Sequence, residues 1–255
     1  MPIDKDIEEP TLALIIPCYN EVLRLEKLFI ELHQFSERFI GDLSIVLIDD
    51  GSTDGTLGKI KELTAQYFTD GICKVIHYTP NRGKGYALQQ GIAQAKASWL
   101  LTLDADLSAH PNVFLEWIEN GDLRPNCIYV GSREHPASKL EFSRIRRMSG
   151  RLFNLWIRLN TGIKLKDTQC GFKCYPKSIG KQLFRSLKNY GWAHDVEILY
   201  RAKRLGLNYK ALPLTWKHEE NSKLSLLADG IGSALEIRAI RKSVDIELQK
   251  KKSDG

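Results

Sequence analysis

Asp104 and Asp106, in Trp99-Leu100-Leu101-Thr102-Leu103-Asp104-Ala105-Asp106, stand where an apolar run ends. In an extended backbone alternate side chains point the same way, so both carboxylates can converge on one hard divalent cation. Mg²⁺ and Mn²⁺ are held by one or two carboxylates and fill their remaining positions with water and substrate phosphate oxygens, so the pair implies a nucleoside diphosphate. An isolated Asp-X-Asp reads equally as two solvated loop acids, and its meaning depends on its neighbours.

Three further segments each follow an apolar run of their own. They are Pro17-Cys18-Tyr19-Asn20-Glu21, Asp49-Asp50-Gly51-Ser52-Thr53-Asp54-Gly55-Thr56 and Asn81-Arg82-Gly83-Lys84-Gly85. Tyr19 can stack on a base, Asp50 can accept from a base or ribose donor, and Arg82 or Lys84 can meet phosphate. Together these are the parts of a nucleotide-sugar pocket. Each also has a structural reading, since Asp-Gly and Asn-X-Gly are ordinary turn chemistry and Asp54 can cap a helix.

The elements that must position these residues follow from period. Residues 12–17, 43–48, 74–77 and 99–103 are short apolar runs, too short for buried helices and too apolar for exposed ones. Between them, 21–39, 56–68 and 86–97 carry helical stripes, such as Leu25, Leu28, Phe29 and Leu32. The resulting β-α-β-α-β-α-β order predicts a mostly parallel sheet flanked by helices, with ligands bound beyond the carboxyl ends of its strands. A helix over 112–118 and a strand over 127–130 then lead to Gly131-Ser132-Arg133. After these, 142–159 interleaves Arg144, Arg146, Arg147, Arg151 and Arg158 with Phe153, Trp156 and other apolar residues. Such a helix could lie on an anionic membrane or pack on the core with a basic outer face, and 224–240 offers the same choice.

Composition bounds the remaining classes. At 255 residues and 43% apolar content the chain can bury one substantial core. Its net charge of +6 suits a phosphate-bearing or anionic-membrane partner, but without an aromatic-basic signature nucleic acid is not expected. Cys18, Cys73, Cys127, Cys170 and Cys174 show no zinc-type pairing and read as small buried hydrophobes in a reducing compartment. Without a span-length apolar run or a signal-peptide core, the expected location is cytoplasmic, with at most peripheral contact at the cytoplasmic membrane face.

In this order and spacing, the motifs Ile-Pro-Cys-Tyr-Asn-Glu, Asp-Asp-Gly-Ser-Thr-Asp-Gly-Thr, Asn-Arg-Gly-Lys-Gly, Asp-Ala-Asp and Gly-Ser-Arg resemble those of the family-2 glycosyltransferases of GT-A type fold. So do Asp167-Thr168-Gln169-Cys170-Gly171-Phe172-Lys173, Trp192-Ala193-His194-Asp195-Val196-Glu197 and Asn221-Ser222-Lys223. The resemblance is nearest to the polyprenyl-phosphate sugar transferases, in particular the dolichyl-phosphate β-glucosyltransferases.

The resemblance implies an α/β fold with a Rossmann-like, mostly parallel sheet in a single GT-A domain. On this reading 1–10 is an N-terminal tail and 11–225 the domain, with a nucleotide-binding half (11–110) and an acceptor half (111–225). Residues 226–255 form a C-terminal helical segment and basic tail. The resemblance also implies a nucleoside pocket of Pro17, Tyr19, Glu21, Ile48 and Asp50, and a diphosphate and Mg²⁺ or Mn²⁺ segment of Asp104, Ala105 and Asp106. It places phosphate-holding roles on Arg133 and Lys223. Where the related mannosyltransferases carry a metal-ligating Gln, this chain has Ser108, which leaves the third protein ligand open.

An inverting transfer needs a nucleophile opposite the departing diphosphate. Asp167 is the first choice for a carboxylate facing the acceptor, with Asp195 and Glu197 behind it. The acceptor phosphate is expected among Arg133, Arg144, Arg147 and Lys173, with lipid near Phe153 and Trp156. The expected activity is hexose transfer, of glucose from UDP-glucose, to a polyprenyl phosphate. The alternatives are a GDP-mannose-using relative and an enzyme acting on a soluble saccharide or protein.

Overall fold

The computed structural model describes residues 11–141, 144–217 and 230–253. In chain order its elements are β1 (Leu12–Cys18), α1 (Leu25–Arg38), β2 (Leu43–Asp50), α2 (Thr56–Tyr67), β3 (Cys73–Tyr78), α3 (Lys84–Gln94), β4 (Trp99–Thr102) and α4 (Asn112–Glu119). The second half adds β5 (Cys127–Gly131), β6 (Lys139–Glu141), α5 (Arg144–Thr161), β7 (Lys173–Pro176), α6 (Lys177–Arg185), α7 (His194–Arg204), β8 (Asn208–Leu212), β9 (Thr215–Lys217) and α8 (Gly230–Ser253).

The first half has the predicted alternation, and the side-chain period explains its layers. Ala13 and Ile15 of β1 join the apolar cluster on one face of the sheet, with Ala87, Leu88 and Ile92 of α3. Leu12, Leu14 and Ile16 join the cluster on the other face, with Leu28, Phe29 and Leu32 of α1. Both faces are covered, which is why these strands read as continuous apolar runs. Gly91 lets α3 settle on the sheet: a Cβ there would lie 2.5 Å from Ile15 Cγ2 and 2.8 Å from Ile48 Cδ1.

One seven-stranded sheet results, in the order β3-β2-β1-β4-β7-β5-β8, with a separate β6-β9 ribbon. All neighbours in it are parallel except β7, which runs antiparallel to both β4 and β5. That reversal matters for the site. Thr102 at the end of β4 pairs with Lys173 at the start of β7, so the loop entering β7 arrives at the rim where the parallel strands end.

Sequence periodicity did not reveal β7, α6, α7 or β8. The first helix begins at Leu25, not at residue 21, because Glu21 to Arg24 form a turn closed by Arg24 N donating to Glu21 O at 2.8 Å. Helix α5 matches the expected basic amphipathic stretch, and α8 carries the later part of 224–240 on to Ser253. Residues 218–229 lie outside the described residues. All five cysteines are free; Cys18, Cys170 and Cys174 are buried, whereas Cys73 and Cys127 are only partly covered. Among the described residues no helix is long and apolar enough to cross a membrane.

Candidate active site

The loops after β1 and β2 are latched to each other before any ligand is considered. Asn20 adopts a left-handed conformation (φ 55°), its amide donates to Ser52 Oγ at 2.9 Å, and its side-chain oxygen accepts from Thr53 N at 2.9 Å. Glu21 N donates to Thr56 Oγ1 at 2.8 Å, and Glu21 Oε2 receives Arg24 at 2.7 Å. Asp54, expected as a helix cap, stands one residue before the N-cap Gly55 and accepts from Thr56 N at 3.0 Å. The latch leaves Tyr19 at the rim, 42% exposed.

Asp50 is not open in the same way. One oxygen accepts from Arg82 N at 2.8 Å, and the other from Gly83 N and Asn81 Nδ2, both at 2.9 Å. Its carboxylate therefore builds the turn that presents Arg82 and Lys84. Arg82 lies over the Tyr86 ring, 3.6 Å from its centroid. Of the other expected nucleoside residues, Pro17 is half-buried at the end of β1, whereas Ile48 is fully buried against α3, so its side chain belongs to the core.

The expected diphosphate side centres on Asp104. Lys84, the first residue of α3, places its ammonium on Asp104 Oδ1. Gly171 lies against the same carboxylate: a Cβ there would fall 2.5 Å from Oδ2 and 2.8 Å from Oδ1. Asp106 accepts from Ser108 N at 2.9 Å across Leu107, which is left-handed at φ 53°. Asn20 and Leu107 are the non-glycine residues with positive φ among the described residues, and both border this site, where backbone strain commonly concentrates. Ala105 is buried between the two acids.

The donor set fits a divalent cation. Asp104 and Asp106 are half-buried, offer hard oxygens, and already accommodate a positive charge in the Lys84 ammonium. No third Asp, Glu, His or Cys joins them among the described residues. Ser108, at the position where the mannosyltransferases carry Gln, is buried and contributes its amide to Asp106.

Each carboxylate expected on the acceptor side is already paired with a cation. Asp167, 2% exposed, takes Arg133 in a two-pronged contact at 2.8 Å and 2.8 Å and also accepts Arg133 N at 3.0 Å. Burial raises its pKa, but the Arg133 guanidinium outweighs burial and holds the carboxyl below the usual range. Asp195 meets the fully buried Lys173 ammonium at 2.6 Å. Burial is again outweighed, here by His194, Lys173 and Lys84, so Asp195 is also held low. Glu197 binds Arg201 at 2.7 Å and accepts the amides of Lys188 at 3.1 Å and Asn189 at 2.7 Å.

The loops of the two halves interlock here. Gly85 N donates to Tyr190 O at 2.9 Å, and a Cβ on Gly83 would lie 2.5 Å from that same oxygen. Asn154 of α5 accepts from Thr168 N and Thr168 Oγ1, each at 2.9 Å, and so fixes the loop that bears Asp167.

Several expectations change accordingly. Asp195 and Glu197 sit on the first turn of α7 and point to different partners. Lys173, placed with the acceptor phosphate on sequence grounds, is committed to Asp195 and to Cys170 O at 2.5 Å. Arg144 and Arg147 fall on the first turn of α5, where the backbone but not the side chains is described, and Lys223 lies outside the described residues. Two residues gain contacts at the site that the sequence motifs alone do not single out. They are Gly171, signalled by a glycine inside Cys-Gly-Phe-Lys-Cys, and His194, buried at the start of α7.

Comparison with known proteins agrees with this geometry. Residues 13–184 match the family described as Glycosyl transferase family 2. The Dictyostelium discoideum dolichyl-phosphate beta-glucosyltransferase is 32% identical over 251 residues, covering 92% of this chain and 75% of that protein. The Homo sapiens dolichyl-phosphate beta-glucosyltransferase is 32% identical over 235 residues, covering 85% and 71%. Among solved structures, glucosyl-3-phosphoglycerate synthase from Mycobacterium tuberculosis in complex with Mn²⁺, UDP and glucosyl-3-phosphoglycerate superposes with a TM-score of 0.62. It is 20% identical and covers 92% of this chain and 80% of that one. At that identity the likeness is one of fold.

Proposed function

This chain belongs to glycosyl transferase family 2, and from that premise we propose that it moves glucose from UDP-glucose to a polyprenyl phosphate such as dolichyl phosphate, inverting the anomeric carbon. A phosphate oxygen of the acceptor bonds to the sugar's C1 as the bond from C1 to the donor's β-phosphate oxygen breaks. UDP leaves with the electron pair. A divalent cation held by Asp104 and Asp106 would offset the negative charge that develops on the diphosphate. Lys84, Arg82 and Lys223 are assigned to phosphate and Tyr19 to the base. Arg144 and Arg147 are assigned to the acceptor's phosphate.

The observation that carries this reading is the pairing of Asp167, Asp195 and Glu197 with Arg133, Lys173 and Arg201. An alcohol acceptor must lose a proton and requires a base near its hydroxyl, whereas a carboxylate held low by a guanidinium is a poor one. A phosphate monoester is ionised at neutral pH and needs only position and charge compensation. In this scheme Asp167 faces the acceptor by fixing Arg133, not by taking a proton.

Peripheral docking on the cytoplasmic face of a membrane completes the proposal. It is supported by Leu152, Leu155 and Leu159, which line one face of α5 at exposures of 64%, 45% and 76%. The test is a donor and acceptor screen on purified protein with Mn²⁺ or Mg²⁺, scoring lipid-linked sugar separately from free sugar. UDP-glucose with a short polyprenyl phosphate should give lipid-linked glucose. Product formed only from GDP-mannose, or only on a soluble saccharide, would overturn the donor or the acceptor assignment respectively.

A further inference from the structure

Lys84 poses a question that its assignment to phosphate does not answer. Its ammonium rests on Asp104 Oδ1, one of the oxygens a divalent cation would use. Gly171 closes the other side of the same carboxylate, so Asp104 has little room to turn away from Lys84 while keeping its place. A monovalent and a divalent cation cannot both sit close to one carboxylate without strong mutual repulsion.

Lys84 also has another anion within its reach once a donor binds. It is the first residue of α3, behind the Arg82-Gly83 turn organised by Asp50, and a helix N-terminus favours negative charge. Its side chain is 37% exposed, so its flexible stem is not locked in the core as that of Lys173 is.

We infer that Lys84 is a displaceable counter-ion: it neutralises Asp104 in the nucleotide-free protein and transfers to the donor's diphosphate as the divalent cation takes its place. The inference rests on the assignment of Asp104 and Asp106 as the cation ligands. Its consequence is linkage. The diphosphate draws Lys84 off Asp104 and so strengthens cation binding, and the cation must strengthen diphosphate binding by the same factor. The free protein thereby avoids holding a metal before a donor is present.

Mn²⁺ binding to the full chain, followed by loss of the free-ion electron paramagnetic resonance signal, tests this. Titrations are run with and without UDP, with the protein-free Mn²⁺–UDP contribution subtracted. The wild-type protein should bind Mn²⁺ about tenfold more tightly with UDP than without it. Lys84→Met should tighten UDP-free binding about tenfold and shrink the UDP-dependent gain, because the competing charge is gone. Lys84→Arg, which keeps a cation beside Asp104, should stay near the wild type. Unchanged or weaker UDP-free binding in Lys84→Met overturns the inference. A wild-type affinity indifferent to UDP overturns it without any variant. Asp104→Asn separates the two levels: if it leaves Mn²⁺ binding in the presence of UDP intact, the cation site itself is wrongly placed. If it abolishes that binding while Lys84→Met changes nothing, only the displacement falls.

Discussion

At Gly171 a single added methyl group would land 2.5 Å from Asp104 Oδ2, closer than carbon and oxygen approach without a shift. The loop cannot retreat easily, because Thr102 Oγ1 donates to Gly171 O at 2.8 Å and Lys173 grips Cys170 O. Gly171→Ala should therefore move the Asp104 carboxylate and lower kcat/KM for transfer about 100-fold, with the fold retained; steady-state assays beside circular dichroism would check it. His194 gives a prediction of another kind. Burial pushes its pKa down, and Lys84 and Lys173 add to the effect against the pull of Asp195, so the folded protein disfavours protonation of the ring. An unfolded histidine titrates near 6.5, so this contribution to stability is fully present above about pH 6.5 and is lost as pH falls toward the lower folded value. The melting temperature should drop as pH falls below about 6.5, and His194→Gln should flatten that slope. A slope unchanged in the variant would place the titrating group elsewhere. Neither contact was legible in the sequence, since a close approach and a buried ring are facts of packing, whereas the spacing of Asp104 and Asp106 marks them as candidates without the fold.

Strand β7 is the element that brings the loop of Asp167 and Gly171 to the rim beside Asp104. Running against its neighbours, it begins at the rim, and its first residue, Lys173, is buried there with Asp195 of α7. The pair ties the loop carrying Asp167 and Gly171 to the helix whose entry loop packs on Gly83 and Gly85. Breaking it from one side leaves an uncompensated buried charge, so Lys173→Met should cost about 3–5 kcal/mol in urea unfolding. Replacing both members, Lys173→Met with Asp195→Leu, should recover part of that loss; an additive double variant would mean that the two charges are not coupled. The same strand explains the limit of sequence reading at this scale. The runs at 12–17, 43–48 and 99–103 are apolar on both faces and announce buried parallel strands. Lys173-Cys174-Tyr175-Pro176 is short, opens with a charge and ends in proline, all of which argue against a central strand until the buried Asp195 is known.

For the whole molecule, the proposed membrane contact rests on the net charge of +6 and the two sides of α5. The sequence left this helix between lying on a membrane and packing on a core. In the fold it does the second and leaves an apolar face exposed: Ile157 and Asn154 are buried, whereas Leu152, Leu155 and Leu159 project from the opposite side. Arg151, next to these leucines, is partly engaged by Glu134 at 2.7 Å, so apolar contact rather than that arginine should dominate local adhesion. Burying three leucines in an interfacial layer contributes several kcal/mol at about 25 cal/mol per Å². Replacing all three with serine should weaken co-sedimentation with anionic vesicles by about tenfold or more. Global stability should change by only about 0.5 kcal/mol per site, because these side chains are largely solvated already. Raising salt should weaken what remains in the triple variant more steeply than it weakens the wild type, since only screened charge would then hold the protein to the surface. Transfer to a water-soluble short-chain phosphate should be unaffected by the triple change, whereas transfer to a vesicle-embedded carrier should fall with the binding. A triple variant that sediments like the wild type would remove α5 from the membrane contact and return it to a purely structural role.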